Sequence, residues 1–310
     1  LIILPICDHP GKGSDINTPS LQLLQSPDWS DYELLDSGNG TKLEKFGPYL
    51  FVRPETEAVW KPALPEKEWE QAHAVFQPAP EENGGHWQFK KSIEARWTMA
   101  YRGLKFRVQP TNSRHLGVFP EQACQWDWIQ EQVACAGRPL RVLNLFGYTG
   151  LASLAAASAG AEVTHVDASR KVVTWAHENL TLSGLDDRPV HWIVEDALKF
   201  VERQGRRGGI FDGLILDPPK FGRGPKGEVW EFYKLLPNLL TACRAAMSRQ
   251  PRFIVLTAYA VKASSLTLHQ ALEEVMAQFD GRVESGEVVL KEKSHGRLIS
   301  MAVFSRWFAN

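Results

Sequence analysis

From residue 138 onward the chain alternates short apolar runs with helix-patterned segments. "RVLNLF" (141–146), "EVTHVD" (162–167), "VHWIVED" (190–196), "FDGLILD" (211–217) and "RFIVLTAY" (252–259) read as strands. Between them, "GLASLAAASAG" (150–160), "SRKVVTWAHENLTLSG" (169–184), "ALKFVERQG" (197–205), "EFYKLLPNLLTACRAAMS" (231–248) and "SLTLHQALEEVMAQF" (265–279) read as helices. Ser169 is placed to cap the second helix, Gly160 and Gly184 close the first two, and Pro237 predicts a kink in the fourth. Strand–helix alternation implies a parallel sheet with helices on both faces. The last two strands, "ESGEVVLK" (284–291) and "LISMAVFSRWF" (298–308), have only "EKSHGR" between them, too little for a crossover, so they pair antiparallel. The expected fold is α/β: a Rossmann-like sheet of seven strands, mostly parallel, with antiparallel last strands.

The front of the chain has another rhythm. Residues 1–30 are polar and rich in Ser, Pro, Gly and Asp, and read as a poorly ordered lead-in. Residues 31–110 carry short strand candidates broken by turn signals: "YELLDSGNGTKLEKF", "YLFVRPE", "EAVWKP", "WQFKKS" and "MAYRGLKFRV". Asn39-Gly40 is a hairpin dipeptide, and "EKEWEQAHAVF" (66–76) suggests a short helix. A small β-rich domain over 31–110, suited to docking RNA or another substrate, would then precede a larger domain over 111–310. "PEQACQWDWIQEQVA" (120–134) reads as the helix that joins them.

Composition adds limits. The 310 residues suggest about two domains, and 44% apolar with 23% charged residues is a globular profile. No apolar stretch approaches membrane-spanning length, and the opening segment lacks the basic lead and long apolar run of a secretory signal. The chain begins at Leu1 rather than Met, which leaves its native start open. Cys7, Cys124, Cys135 and Cys243 are dispersed, so neither a disulfide framework nor a zinc site is indicated. Reduced thiols fit a cytoplasmic protein. Histidines such as His165 and His177 have no second ligand at metal spacing, so no metal is expected. A net charge of −1 means that any nucleic acid must be met by a local basic patch. Homo-oligomerisation is left open.

Candidate chemistry collects at strand ends. After the first strand, "NLFGYTG" (144–150) places Gly147 and Gly150 in a tight turn before a helix N-terminus, where a ligand can approach the backbone. Asp167, ending the second strand, can accept both hydroxyls of a ribose or serve as a helix-start acid. Asp196, ending the third, can accept from an adenine amino group or cap the helix that begins at Ala197. The dinucleotide fingerprint is absent, because Thr149 and Ala152 stand where glycines are required. That disfavours a nicotinamide-dependent dehydrogenase.

"VLNLFGYTGLASLAAASAGAEVTHVDAS", "HENLTLSGL", "VEDALKFV" and "FDGLILDPPKFGRG" together resemble the class I S-adenosylmethionine-dependent methyltransferases. More narrowly, they resemble the bacterial group that methylates large-subunit ribosomal RNA, which includes cytosine C5 and guanine N7 enzymes. The likeness spans about residues 110–305. It implies S-adenosylmethionine as cofactor and RNA as partner. By position it implies that Asn144, Phe146, Gly147, Tyr148 and Thr149 line the methionine end. Asp167 would hold the ribose, with Ala168 and Ser169 beside the adenine and Asp196 and Ala197 against it. Phe119, with Arg114, would fold over the methionine from "NSRHLGVFPEQ" (112–122). The first hundred residues do not clearly match the PUA module at the front of the cytosine C5 members.

The segment after the fourth strand, Asp217-Pro218-Pro219-Lys220-Phe221, would then hold the methyl acceptor. Asp217 and the nearby carbonyls accept hydrogen bonds, Pro218 and Pro219 fix the backbone, and Asp217 and Pro219 also border the cofactor. Lys220 brings a positive charge, and Phe221 offers a ring to an extruded base. "FGRGPKGE" reads as a mobile loop with Arg223 and Lys226 near a nucleic-acid backbone. The cytosine C5 members carry a nucleophilic cysteine after strand five; here Thr257, Ala258, Tyr259 and Ala260 occupy that place. A nitrogen target therefore fits better than covalent C5 chemistry. Tyr259 is either a stacking residue near that target or a core aromatic.

Between 86 and 107 six cations interleave with five aromatics, which suits single-stranded or looped RNA, or else an amphipathic sheet. The leading function is methylation of an RNA base, in 23S ribosomal RNA, at a nitrogen. The alternatives are a non-catalytic RNA-binding or ribosome-assembly protein that keeps the fold, and a methyltransferase for a substrate other than RNA.

Overall fold

The structure is a computed structural model that describes residues 19–79 and 84–310. Strand β1 (Leu21–Gln25) comes first. Strands β2 (Tyr32–Gly38), β3 (Thr41–Phe46) and β4 (Tyr49–Pro54) then form an antiparallel meander. Asn39 and Gly40 take φ of +51° and +76°, the left-handed pair that a two-residue hairpin turn needs. The expected strand at 57–62 is instead a loop, whose Ala58 and Trp60 carbonyls accept from the N–H groups of Gly40 and Asn39. The expected helix over 66–76 is one turn, α1 (Glu66–Trp69). Strand β5 (Ala74–Pro78) pairs parallel with β4, and β6 (Gly85–Phe89) completes a five-stranded sheet. A separate hairpin, β7 (Trp97–Tyr101) and β8 (Leu104–Val108), turns at Arg102 and Gly103. Trp97, Tyr101 and Phe106 are buried while Lys105 is exposed, so the amphipathic-sheet reading describes the β7–β8 hairpin, whereas Phe89 on β6 is exposed beside Lys90 and Lys91.

A 3₁₀ turn at Pro120–Gln122 leads into α2 (Ala123–Ala134). The α/β part continues as β9 (Arg141–Leu145), α3 (Leu151–Ser158), β10 (Glu162–Asp167), α4 (Arg170–Leu182), β11 (Val190–Val194), α5 (Ala197–Arg206) and β12 (Gly213–Leu216). The hairpin β13 (Phe221–Arg223) and β14 (Val229–Glu231) comes next, then α6 (Phe232–Ala246), β15 (Phe253–Ala258), α7 (Ser265–Met276), β16 (Arg282–Lys291) and β17 (Leu298–Phe308). The main sheet runs β1-β16-β17-β15-β12-β9-β10-β11. From β15 to β11 all neighbours are parallel, and β17 is antiparallel to both β15 and β16. Every residue of β12 and β15 is buried, which explains their unbroken apolar runs: helices cover both faces.

The sheet has eight strands rather than seven. Strand β1 pairs parallel with Ser285–Val289 of β16, so the expected lead-in over 1–30 does not hold for Leu21–Gln25. Gly286 admits it: a Cβ there would meet the Gln22 carbonyl oxygen at 1.8 Å. Residues 1–18, and Cys7 with them, lie outside the described residues.

The front sheet is bonded to the main sheet through the β16–β17 turn. Lys293 and Ser294 donate backbone N–H groups to Leu34 and Leu35, Ser294 Oγ reaches Asp36 at 2.7 Å, and Ser37 Oγ reaches Glu292 at 2.5 Å. A shared apolar core continues from Phe46 and Phe51 to Leu151, Leu180 and Ile299. On its other side the β8 edge donates from Lys105 to Ser183, just past α4, and from Arg107 to Asn179 within α4. The front sheet thereby roofs the carboxyl end of the main sheet. No helix among the described residues is long and apolar enough to cross a membrane.

Candidate active site

The turn after β9 is the most contorted backbone in the α/β part. Phe146, Tyr148 and Gly150 take φ of +59°, +49° and +88°. Non-glycine residues held there cost on the order of 1–3 kcal/mol each, and such strain collects at ligand sites. Gly147 between them cannot carry a side chain, because a Cβ would lie 2.3 Å from the His165 ring beneath it. His165 is wholly buried in β10, and burial lowers its pKa to about 3, so it is neutral. Its Nδ1 meets Ser153 Oγ at 3.0 Å, and Ser153 Oγ accepts from Asn144 Nδ2 at 2.9 Å. This buried relay fixes the floor of the turn.

Asp167 closes the turn from the side. Its Oδ2 accepts from Tyr148 N at 3.0 Å and its Oδ1 from Ser169 N at 2.8 Å. Burial raises its pKa, and the two backbone bonds act against that rise. Each oxygen retains a further lone pair. Ser169 stands at the N-cap of α4 without a side-chain cap bond, and Ala168 is half-buried beside it. Asp196 caps α5 by accepting from Lys199 N at 2.9 Å, and Ala197 is buried behind it. The helix-cap role foreseen for Asp196 is thus realised.

Phe119, Asn144, Phe146, Gly147, Tyr148, Thr149 and Asp217 all line one cavity beside the turn. The Thr149 hydroxyl is committed to the Gly117 carbonyl at 2.6 Å, tying the 112–122 segment to the turn. Phe119 packs between Tyr148 and Tyr259, with ring centroids 5.6 and 5.2 Å away. Arg114 is exposed at the rim of a neighbouring chamber.

Asp217 stands half-buried at the end of β12. Burial first, and the Glu121 carboxylate second, push its pKa up to about 8. Pro218 is buried, whereas Pro219, Lys220 and Phe221 are exposed. The Pro219 carbonyl is not free, because Trp230 Nε1 donates to it at 2.6 Å. The supposed mobile loop is the β13–β14 hairpin, pinned by Glu228, which accepts from Lys226 N and pairs with Lys199 at 2.7 Å. Lys220 and Arg223 enter no ion pair among the described residues. Tyr259 comes directly after β15, and its hydroxyl accepts from Gln122 Nε2 at 3.0 Å.

Four contributors escaped the sequence reading. Trp230 packs on Phe146 at 5.0 Å while holding Pro219, which couples the two halves of the site. Gln125 lies in the cavity wall with both amide atoms buried and unpartnered. Glu121 and Gln122 face the same region from the 3₁₀ turn. Only the "PEQ" of the 112–122 stretch signalled them. Among the described residues no cluster of His, Cys, Asp and Glu could hold a metal.

Known proteins share this architecture. A family model described as S-adenosylmethionine-dependent methyltransferase matches residues 69–281. The crystal structure of a SAM-dependent methyltransferase from Agrobacterium tumefaciens is 46% identical, covers 94% of this chain and 96% of its own, and superposes with a TM-score of 0.90. A methyltransferase structure complexed with SAH shares the fold at 15% identity and TM-score 0.69, over 90% of this chain and 75% of its own. Ribosomal RNA large subunit methyltransferase K/L of Shewanella sp. (strain ANA-3) is 30% identical over 54% of this chain and 23% of its own length. Ribosomal RNA large subunit methyltransferase I of Shewanella denitrificans is 34% identical over 38% and 29%. The matches thus span less than a third of these curated relatives.

Proposed function

The chain belongs to the S-adenosylmethionine-dependent methyltransferase family, and from that premise we propose that it methylates a nitrogen of an RNA base, with large-subunit ribosomal RNA as the substrate. The distant likeness to ribosomal RNA methyltransferases K/L and I supports the RNA part.

The residues present fit the cofactor. The cavity wall leaves the donor and acceptor of Gln125 unpartnered, and Asp167 keeps acceptor capacity for ribose hydroxyls. In this reading Asn144 and the 146–149 turn hold the methionine end. Asp167, Ala168 and Ser169 hold the ribose and adenine, with Asp196 and Ala197 beyond. When bound, the cofactor supplies an electrophilic methyl on a sulfonium, so the protein's task is chiefly placement.

The observation that carries the reading is the junction made by Trp230, which sets Asp217 and the proline pair against the turn at Phe146. Asp217 can accept an acceptor N–H, and its ionised form, which grows as pH approaches 8, can take that proton. Pro218 stiffens that wall, Phe119 and Tyr259 offer ring faces to a base, and Phe221, Lys220 and Arg223 face outward, where a phosphate backbone would pass. Two of the described thiols, Cys124 and Cys243, are in keeping with a nitrogen target. Cys243 is wholly buried, and burial pushes Cys124 up to about 12, so neither is a ready nucleophile.

The test is nucleoside mass spectrometry of ribosomal RNA from a strain lacking the gene, followed by remethylation with the purified protein. One lost N-methylated nucleoside, restored in vitro, is expected. Unchanged ribosomal RNA would overturn the substrate, and a lost C5-methylated pyrimidine would overturn the chemistry.

A further inference from the structure

A chamber of about 410 Å³ adjoins the cofactor cavity, with Phe119 and Val118 lining both. It lies between the front sheet, the 114–121 segment and the ends of β15 and β17. Its volume falls within the ~300–1,000 Å³ of small-molecule pockets, enough for one nucleoside and far too small for a duplex.

The polar groups of its wall are unevenly occupied. Two of its cations are already engaged, whereas Arg114 at the rim enters no ion pair among the described residues. Arg53 gives Nε and Nη2 to Glu44 at 2.6 and 2.7 Å and Nη1 to the Arg114 carbonyl at 3.2 Å. Lys42 Nζ sits 3.2 Å from Glu55. One carboxyl of the wall has no cation at pairing distance. Glu121 is 3% exposed, enters no ion pair among the described residues and accepts from the Tyr259 hydroxyl, and burial raises its pKa. Asp217 is close enough to feel its charge. Beyond the bond from Tyr259 the Glu121 carboxyl keeps acceptor lone pairs, and the donors of Arg53 and Lys42 are spent, so this part of the wall favours a ligand that brings donors. The Phe119 and Tyr259 rings, 43° apart, add π faces that suit a planar ligand.

We propose that this chamber is the acceptor pocket, that it takes one extruded nucleobase bearing an amino group, and that Glu121 selects the base by accepting its N–H. The inference rests on the methyl-transfer reading above. Uracil is the discriminating case: its single ring N–H stands between two carbonyl oxygens, which a buried carboxylate repels, whereas an exocyclic amino group presents donors alone. Glu121 would be a substrate-touching residue supplied by the 3₁₀ turn, and the roof over it would come from β3 and β4. A base in a paired stem must be flipped out to enter.

The test is calorimetric titration of the full chain with the four nucleosides, each with and without saturating SAH. At least one of adenosine, guanosine and cytidine is expected to bind at least about tenfold more tightly than uridine, a difference of about 1.4 kcal/mol. Glu121→Gln should abolish that preference while SAH affinity stays within twofold. Glu121→Asp, a shorter carboxylate, should keep part of it. Unchanged discrimination in Glu121→Gln, equal binding of uridine, or binding of spermidine in place of all nucleosides would each overturn the proposal. Loss of SAH binding by the unaltered protein would instead count against the methyl-transfer reading, and the titrations without SAH would still test the pocket.

Discussion

Trp230 donates its indole N–H to the carbonyl of Pro219 at 2.6 Å, and the same indole packs on Phe146. One side chain therefore sets the distance between the cofactor turn and the acceptor wall. Trp230→Phe keeps a ring against Phe146 but removes the donor. A buried hydrogen bond of this kind contributes about 0.5–1.5 kcal/mol, so stability should fall only modestly. Placement errors are costlier than that, and kcat should fall by roughly tenfold or more, with SAH affinity nearly unchanged. Steady-state kinetics beside SAH titration checks this; an equal loss in both would mean that Trp230 acts on the cofactor side alone.

Asp167 has two duties that substitution can separate. It braces the turn through the N–H groups of Tyr148 and Ser169, and it is placed to accept ribose hydroxyls. Hydrogen bonds to a charged acceptor are worth about 1.5–3 kcal/mol each. Asp167→Ala should weaken SAH binding by on the order of a hundredfold and lower the melting temperature. Asp167→Asn retains one acceptor and should sit between. Calorimetry and thermal unfolding measure the two duties, and wild-type affinity in Asp167→Ala would remove this residue from the cofactor site.

The parts of the fold legible in the sequence are those set by local pattern. The buried strands β9, β12 and β15 announce themselves because helices cover both of their faces. Strand β1 does not, because its residues alternate between exposed and half-buried and its partner lies more than 250 residues away. The helix expected at 66–76 stopped at Trp69 because Ala74–Pro78 found a strand partner in β4, a tertiary gain that local propensity does not register. The site divides in the same way. Asp167, Asp217 and the turn stand at strand ends, where position alone marks them. Trp230 and Gln125 sit on separate elements and acquire their roles only through packing. The "FGRGPKGE" stretch carries the composition of a loose loop, yet Glu228 closes it into a hairpin.

Gly147 offers a structural test of the turn. A Cβ there would collide with His165 at 2.3 Å, and overpacking of a closed core typically costs about 1–3 kcal/mol. Gly147→Ala should therefore lower stability and weaken SAH binding together. Adding His165→Ala opens space beneath the turn, so the double variant should recover part of the cofactor affinity that Gly147→Ala loses. Thermal unfolding and SAH titration of the cycle check this, and strictly additive losses would show that the ring is not what excludes a side chain.

Asp217 makes stability depend on pH in a direction opposite to most acids. Its folded pKa is pushed up to about 8, chiefly by burial and then by Glu121, while an unfolded aspartate titrates near ~3.9. Between those values the native state binds the extra proton, so stability falls as pH rises through the window. Below it both states are protonated, and above it both are ionised, leaving the full penalty of a charged carboxylate in a closed wall. Asp217→Asn removes the titration and keeps the shape. The melting temperature of Asp217→Asn minus that of the wild type should therefore be near zero at pH ~4, grow steadily, and level off above pH ~8. Taking the difference cancels the titrating groups that Asp217 does not touch, leaving its own titration and its coupling to Glu121 and Tyr259. Because the side chain is half-buried, solvent damps the size of the effect but not its sign. A difference that is flat with pH, or largest in acid, would show that the carboxyl is ionised in the native state throughout and could not hold an acceptor proton near neutrality.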